Sequence, residues 1–199
     1  MEEMRIVYVD DDPDHDISKY LKRKYSHPSF KINYEEIQFK SEEGYDNLID
    51  NEHINEANIV LIDSKLFEND QVKSGKFTGE EFKIILKKIF PFIEVIVITQ
   101  NDLTEDYGTI SKYKASSTIN PLEYYDIKLK DELDKAIGNI TIYRNIANKL
   151  KSNEEIDKLL IEKILNSLDG YSNYDELKSR DIDEIISIFK EMEKSINEE

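Results

Sequence analysis

Three short runs of apolar, mostly β-branched residues constrain the fold of this chain most strongly. They lie at residues 6–9 (IVYV), 59–62 (IVLI) and 95–98 (VIVI), and each leads directly into a polar side chain. The apolar residues are continuous rather than alternating, which is typical of strands that are buried on both faces. The sequence therefore predicts three central strands of a parallel sheet.

The segments between these runs predict helices and two further strands. Apolar and aromatic residues recur at helical spacing over 17–25 and over 82–89. Residues 31–39 (KINYEEIQF) indicate a strand, a helix is expected around 42–53, and a weaker strand is predicted at 116–119. Five strands alternating with five helices predict an α/β fold, a five-stranded parallel sheet with helices on both faces.

The pattern changes to long helices from about Leu122. Stripes of apolar residues at heptad spacing indicate one long helix, a second helix over 156–168 and a third over 182–196. We therefore predict a domain at 1–138 followed by an all-helical C-terminal extension at 139–199, a helical hairpin or small bundle.

Composition narrows the classes of function. The formal net charge of −16 argues against nucleic-acid binding, which needs a basic surface. The chain has no cysteine, which excludes disulfides and thiolate chemistry. No apolar run approaches the roughly 20 residues that span a bilayer, and the N-terminus lacks the pattern of a signal peptide. These features predict a cytoplasmic protein that binds neither membrane nor nucleic acid.

The carboxyl ends of the predicted strands carry the candidate site. Asp10, Asp11 and Asp12 follow the first strand, Asp63 follows the 59–62 run and Thr99 follows the 95–98 run. Ligands of open parallel sheets bind at these strand ends, so we expect the side chains to converge. Crowded carboxylates raise one another's pKa. The repulsion within the cluster is relieved if a cation binds there, if the acids cap a helix, or if water solvates them fully.

A calcium-binding loop does not explain the acidic cluster. Asp10, Asp12 and Asp14 have the alternating spacing of such a loop, but its sixth position would be His15, where a glycine must turn the chain. Its twelfth position would be Leu21, where a bidentate glutamate is needed.

Helix capping explains the outer acids of the cluster. Asp12, beside Pro13, is expected to cap the first helix at its N-terminus. Asp14 and Asp16 are expected in the first turn, where the helix dipole favours negative charge.

Five motifs in order over roughly residues 4–130 resemble the receiver domain of two-component response regulators. They are IVYVDDDP, ANIVLIDSKL, GEEFKIILKKIFP, VIVITQND and ASSTINP. The resemblance implies a flavodoxin-like receiver fold. It also implies a phosphoprotein of a phosphorelay, which takes a phosphoryl group from a histidine kinase or phosphotransfer protein and signals through protein–protein contacts.

The resemblance also assigns roles to individual residues. Asp63 would be the phospho-acceptor and Thr99 would hydrogen-bond the phosphoryl group. Mg²⁺ would be held by Asp10, Asp11 and Asp63 together with the backbone carbonyl of Lys65.

One departure from the family is expected at the last motif. Asn120 stands before Pro121, in place of the lysine that the family places there to pair with phosphoryl oxygens. The receiver is therefore expected to be atypical at this position.

Two alternatives to phosphotransfer on Asp63 remain open. A pseudo-receiver would keep the fold as a binding or adaptor module without phosphotransfer. A phosphatase of the haloacid dehalogenase type would use Asp10 as nucleophile, together with Asp12 and Thr99. That family also requires a late Gly-Asp pair, and this sequence contains none. In the favoured interpretation the protein is not an enzyme, and its helical extension binds a downstream partner or a second copy.

Overall fold

The computed structural model describes residues 1–40, 44–67, 78–100, 109–151 and 158–168. Over these residues, five parallel strands form one sheet in the order β2-β1-β3-β4-β5. The strands are β1 (Glu2–Asp10), β2 (Phe30–Gln38), β3 (Ile59–Asp63), β4 (Glu94–Thr99) and β5 (Thr109–Ser111). The helices are α1 (His15–Arg23), α2 (Asp46–Ile49), α3 (Glu52–Asn55), α4 (Gly79–Ile89), α5 (Pro121–Lys151) and α6 (Lys158–Leu168).

This strand order is that of flavodoxin-like sheets, the fold of receiver domains. The order reverses between β1 and β3, and the crevice at such a switch point is where these sheets bind ligands. The predicted fold class, and the resemblance to receiver domains at the level of the fold, are confirmed.

The sheet separates two hydrophobic cores, as the alternation of side chains along a strand requires. In β1, Ile6 and Tyr8 face a core that is closed by α1 and α5. Val7 and Val9 face the opposite core, which is closed by α4 and the α2–α3 region. The central strands are buried on both faces, as the continuous apolar runs predicted.

The strand predicted at 116–119 is wrong. The last strand of the sheet is β5, and it precedes a turn in which the N–H of Ser117 donates to the carbonyl of Lys114 at 2.8 Å. Only Ile110 of the three residues in β5 is strongly apolar, so this edge strand carries too little pattern to be recognised.

Two details of the helices also differ from expectation. The helix predicted at 42–53 is two short helices, because the side chain of Asn51 accepts from the N–H of His53 and starts α3. The cap of α1 is Asp14 rather than Asp12, and its carboxylate accepts from the N–H groups of Asp16 and Ile17 at 2.8 and 3.2 Å.

The helical region beyond the sheet begins within α5. This helix runs without interruption through Gly138, and α6 packs against it with Ile161 and Leu168 buried. The stripe at 182–196 lies outside the described residues. Along the part of the chain that the structure describes, no helix combines the length and apolar character needed to cross a membrane.

Candidate functional site

Three aspartates meet at the carboxyl edge of the sheet. Val9 of β1 is paired with Ile62 of β3, so the following residues, Asp10 and Asp63, leave the sheet side by side. Both are buried, whereas Asp11 is exposed. One carboxylate oxygen from each aspartate lies within 4.8 Å of the other two. The structure thus brings together the three carboxylates that the sequence assigned to one metal site.

A buried lysine completes this cluster. The Nζ of Lys112 lies 2.7 Å from Oδ2 of Asp10 and 2.8 Å from Oδ1 of Asp63. Burial acts to lower the pKa of Lys112, but hydrogen bonds to Asp10 and Asp63 outweigh it and raise the pKa, so the side chain is charged. One ammonium therefore faces three carboxylates.

The short strand β5 positions Lys112. Its backbone N–H donates to the carbonyl of Thr99 at 2.6 Å, which places the lysine beside the end of β4. Thr99 is buried there, one residue beyond Ile98, which pairs with Asp63. Thr99 and Lys112 thus flank the predicted phospho-acceptor from neighbouring strands.

Asn120 does not occupy the position that was expected for it, in place of the family's lysine. Asn120 is exposed before α5, where its side chain accepts from the N–H of Glu123 at 3.0 Å and donates to the carboxylate of that residue at 3.2 Å. Its assignment to the lysine position followed from the strand predicted at 116–119. The residue that follows the last strand is Lys112, so a lysine is present where the sequence indicated none.

Asp10 is held by donors on both of its oxygens. Oδ2 accepts from the hydroxyl of Tyr8 as well as from Lys112, and Oδ1 accepts from the N–H of Asp12 at 3.1 Å. The Tyr8 hydroxyl accepts in turn from the N–H of Asp14 at 3.2 Å. Burial, and then the charge of Asp10, raise the pKa of Tyr8, so it remains a neutral donor.

The loop after β3 shapes the surroundings of Asp63. Its Oδ2 accepts from the N–H of Lys65 at 2.8 Å, which tightens the loop that bears the predicted carbonyl ligand. The carboxylate of Glu80 accepts from the hydroxyls of Ser64 at 3.0 Å and Thr109 at 3.3 Å. The start of α4 is thereby tied both to this loop and to β5.

Among the described residues, the three carboxylates of the cluster outnumber its one ammonium, so their combined charge is negative. Burial, and then hydrogen bonding and charge from Asp10 and the charge of Asp63, raise the pKa of Asp11. Carboxylate oxygens are the ligands that Mg²⁺ prefers, and it takes one or two directly while keeping its waters. Asp10, Asp11 and Asp63 therefore fit a magnesium site.

Comparisons with solved structures find receiver domains and response regulators. The chain is similar to the BeF3-activated DrrB receiver domain, with 19% identity and a TM-score of 0.41 over 68% of this chain and 98% of that one. It is similar to a CheY-like response regulator receiver domain protein from Methanospirillum hungatei, with 20% identity and a TM-score of 0.39 over 69% and 98%.

A third similar structure is a two-component transcriptional regulator AraC from Clostridium phytofermentans, with 16% identity and a TM-score of 0.44 over 72% of this chain and 98% of that one. No protein-family model matches the sequence, and no curated protein matches it. At these levels of identity the similarity concerns the fold alone. The strand order of the sheet shows this fold independently of the comparisons.

Sequence reasoning missed Lys112, Tyr8 and Glu80. A lysine directly after a short β-branched segment (TIS) was the available signal for Lys112. Tyr8 lies inside an apolar run, where the sequence pattern indicates a core residue and gives no sign that its hydroxyl contacts Asp10. Glu80 resembles any acidic residue in the first turn of a helix.

Proposed function

We propose that this protein is a response-regulator-like signalling protein that accepts a phosphoryl group on Asp63 from a histidine kinase or phosphotransfer protein. The observation that carries the proposal is the placement of the Lys112 ammonium 2.8 Å from the Asp63 carboxylate, within a cluster of three aspartates. A carboxylate and a phosphoryl group are both anionic, so the attack of one on the other needs positive charge close to the reacting atoms.

In the transfer, a carboxylate oxygen of Asp63 forms a bond to phosphorus as the P–N bond to the donor histidine breaks. The imidazole leaves with the bonding electron pair and takes up a proton, and Asp63 becomes an acyl phosphate. Lys112 can then pair with the transferred phosphoryl oxygens, and Thr99 can donate a hydrogen bond to one of them.

Asp10 and Asp11 would hold the cation of this reaction together with Asp63, and the carbonyl of Lys65 would be a further ligand. Bound Mg²⁺ would neutralise the charge between the acceptor and the phosphoryl group. Without the ion, the ammonium of Lys112 is the one cation that pairs with Asp10 and Asp63 among the described residues. The uncompensated negative charge then repels an anionic phosphoryl donor.

The signal leaves the site through the elements that Lys112 and Thr99 anchor. Movement of either side chain toward a phosphorylated Asp63 displaces the ends of β4 and β5. The chain continues from β5 into α5, which extends past residue 138, and α6 packs against α5. We infer that the helical part at 139–199 contacts a downstream protein or a second copy of the chain.

The site supports phosphotransfer to Asp63 better than the two alternatives. A phosphatase of the haloacid dehalogenase type would use Asp10 as its nucleophile, but the sequence contains no Gly-Asp pair of the kind that family requires. One reason to favour a pseudo-receiver was the missing lysine, and the position of Lys112 beside Asp63 weakens that reason.

Incubation with acetyl phosphate and Mg²⁺ tests the proposal. Intact mass should show one added phosphoryl group that is stable in acid and labile in base, and Asp63→Asn should abolish it. Labelling that survives Asp63→Asn and disappears with Asp10→Asn would support the phosphatase. Absence of labelling at every Mg²⁺ concentration would support the pseudo-receiver.

A further inference from the structure

We propose that Tyr8 is a positioning residue for the divalent cation. It fixes which oxygen of Asp10 faces the ion, and it anchors the loop that carries Asp11. This inference rests on the proposed function, because it concerns the cation site of that reaction.

The hydrogen bonds of Asp10 leave one position for a cation. Each carboxylate oxygen has about two lone-pair positions. Oδ2 uses both, one for the Tyr8 hydroxyl and one for the Lys112 ammonium. Among the residues that the structure describes, Oδ1 accepts a backbone hydrogen bond from the N–H of Asp12, which leaves a position on this oxygen for an ion. Asp10 can therefore bind an ion through Oδ1 alone, as a monodentate ligand.

Tyr8 also determines the path of the chain after Asp10. Its hydroxyl accepts from the N–H of Asp14, the residue that caps α1. The tyrosine thus spans the turn from Asp10 to Asp14, and Asp11 lies inside that turn. The ring is fully buried in the core between the sheet and α1, so the hydroxyl has little freedom to move. The packing of the Tyr8 ring in the core therefore helps to fix the positions of Asp10 and Asp11.

Removing the hydroxyl should change both the affinity and the selectivity of the site. Tyr8→Phe keeps the ring but leaves Oδ2 of Asp10 with one open position, and it releases the N–H of Asp14. Groups that orient metal ligands typically contribute 10- to 100-fold to affinity. A carboxylate free on both oxygens suits Ca²⁺, which accepts bidentate ligands, better than Mg²⁺.

The experiment compares wild type, Tyr8→Phe and Tyr20→Phe by calorimetric titration with Mg²⁺ and with Ca²⁺. Tyr20 is the matched control, since it is also fully buried and its hydroxyl donates to Asp126, which is not part of the aspartate cluster. Tyr8→Phe should weaken Mg²⁺ binding about tenfold and lower the ratio of Mg²⁺ to Ca²⁺ affinity, while Tyr20→Phe should leave both within twofold.

Equal Mg²⁺ affinity and an unchanged ratio in folded Tyr8→Phe would overturn the inference alone. Absence of Mg²⁺ binding by the wild type would overturn the proposed cation site together with the inference. If Tyr8→Phe unfolds, all three proteins are compared again with Gly138→Ala, a helix-stabilising change at an exposed position that meets no other atom within 4 Å.

Discussion

The Nζ of Lys112 lies 2.8 Å from Oδ1 of Asp63, which links the last strand of the sheet to the residue proposed to accept the phosphoryl group. The same ammonium lies 2.7 Å from Asp10. One buried cation therefore bridges two buried carboxylates. Because such a pair tolerates poorly the loss of one member, Lys112 should matter for both folding and chemistry.

Replacing Lys112 by methionine should destabilise the metal-free protein by about 3 kcal/mol, because two buried carboxylates are left without their cation. Urea unfolding with a chelator present measures this. Added Mg²⁺ should recover part of the loss. Lys128→Met, at an exposed lysine in α5, is the control and should stay within about 0.5 kcal/mol of wild type. Equal effects of the two changes would contradict the role given to Lys112.

Replacing Asp11 by asparagine should raise the melting temperature of the metal-free protein and reduce the stabilisation by Mg²⁺. Burial and the charges of Asp10 and Asp63 raise the pKa of Asp11 in the folded state. Its ionised carboxylate thus opposes folding at neutral pH, and this effect disappears as the pH falls through that pKa. The gain from Asp11→Asn should therefore shrink in acid.

Thermal melts with and without Mg²⁺ at several pH values decide this point. Asp50→Asn, at an exposed aspartate beyond α2, is the control. If Asp11→Asn neither stabilises the metal-free protein nor weakens the response to Mg²⁺, the acids do not share a site.

Replacing Gly79 by alanine should damage the acceptor loop. A Cβ at Gly79 would lie 2.6 Å from the carbonyl oxygen of Asp63 and 2.9 Å from the Cα of Ser64, and both are backbone atoms. The start of α4 must therefore move away from the loop, which should cost about 1–3 kcal/mol and slow phosphorylation of Asp63.

Gly138→Ala provides the matched comparison for this change. A Cβ there meets nothing within 4 Å, so the substitution should stabilise the protein by about 1 kcal/mol and leave phosphorylation unchanged. Chemical denaturation and intact mass after acetyl phosphate treatment measure both effects. Unimpaired stability of Gly79→Ala would show that the contact with Asp63 is not restrictive.

The extended part of α5 should mediate self-association. Ile142 and Ile146 are about half exposed and lie one helical turn apart beyond residue 138. We expect the full chain to form a dimer by light scattering and Ile142→Glu/Ile146→Glu to make it monomeric. Ile127→Glu is the control, at a similarly exposed position in the part of α5 that covers the sheet. A wild type that is monomeric at every concentration would contradict this prediction.

The sequence predicted the central sheet because short continuous runs of β-branched residues are typical of strands that are buried on both faces. It placed Asp10, Asp11, Asp63 and Thr99 at strand ends, and the structure puts all four there or, for Asp11, one residue beyond. This is because the position at the end of a parallel strand determines where a side chain emerges.

Lys112 could not be found in the same way. Its strand is a three-residue edge whose conformation depends on pairing with β4, and a segment with little apolar content gives no periodic signal. The prediction of the α1 cap failed for a related reason. Asp12 and Asp14 are both suitable N-cap residues by type, and the hydrogen bond from the N–H of Asp14 to the Tyr8 hydroxyl favours Asp14. In both cases a contact with another strand decided the outcome: β5 pairs with β4, and the N–H of Asp14 bonds to Tyr8 of β1.

Reduction of the phosphorylated protein with borohydride tests the central claim most directly, because it converts the side chain of an acyl-phosphorylated aspartate into that of homoserine. After acetyl phosphate and Mg²⁺ treatment, peptide mass spectrometry should find homoserine at position 63, and Asp63→Asn should yield none anywhere in the chain. Homoserine at position 10 or 11, with aspartate intact at 63, would contradict the account.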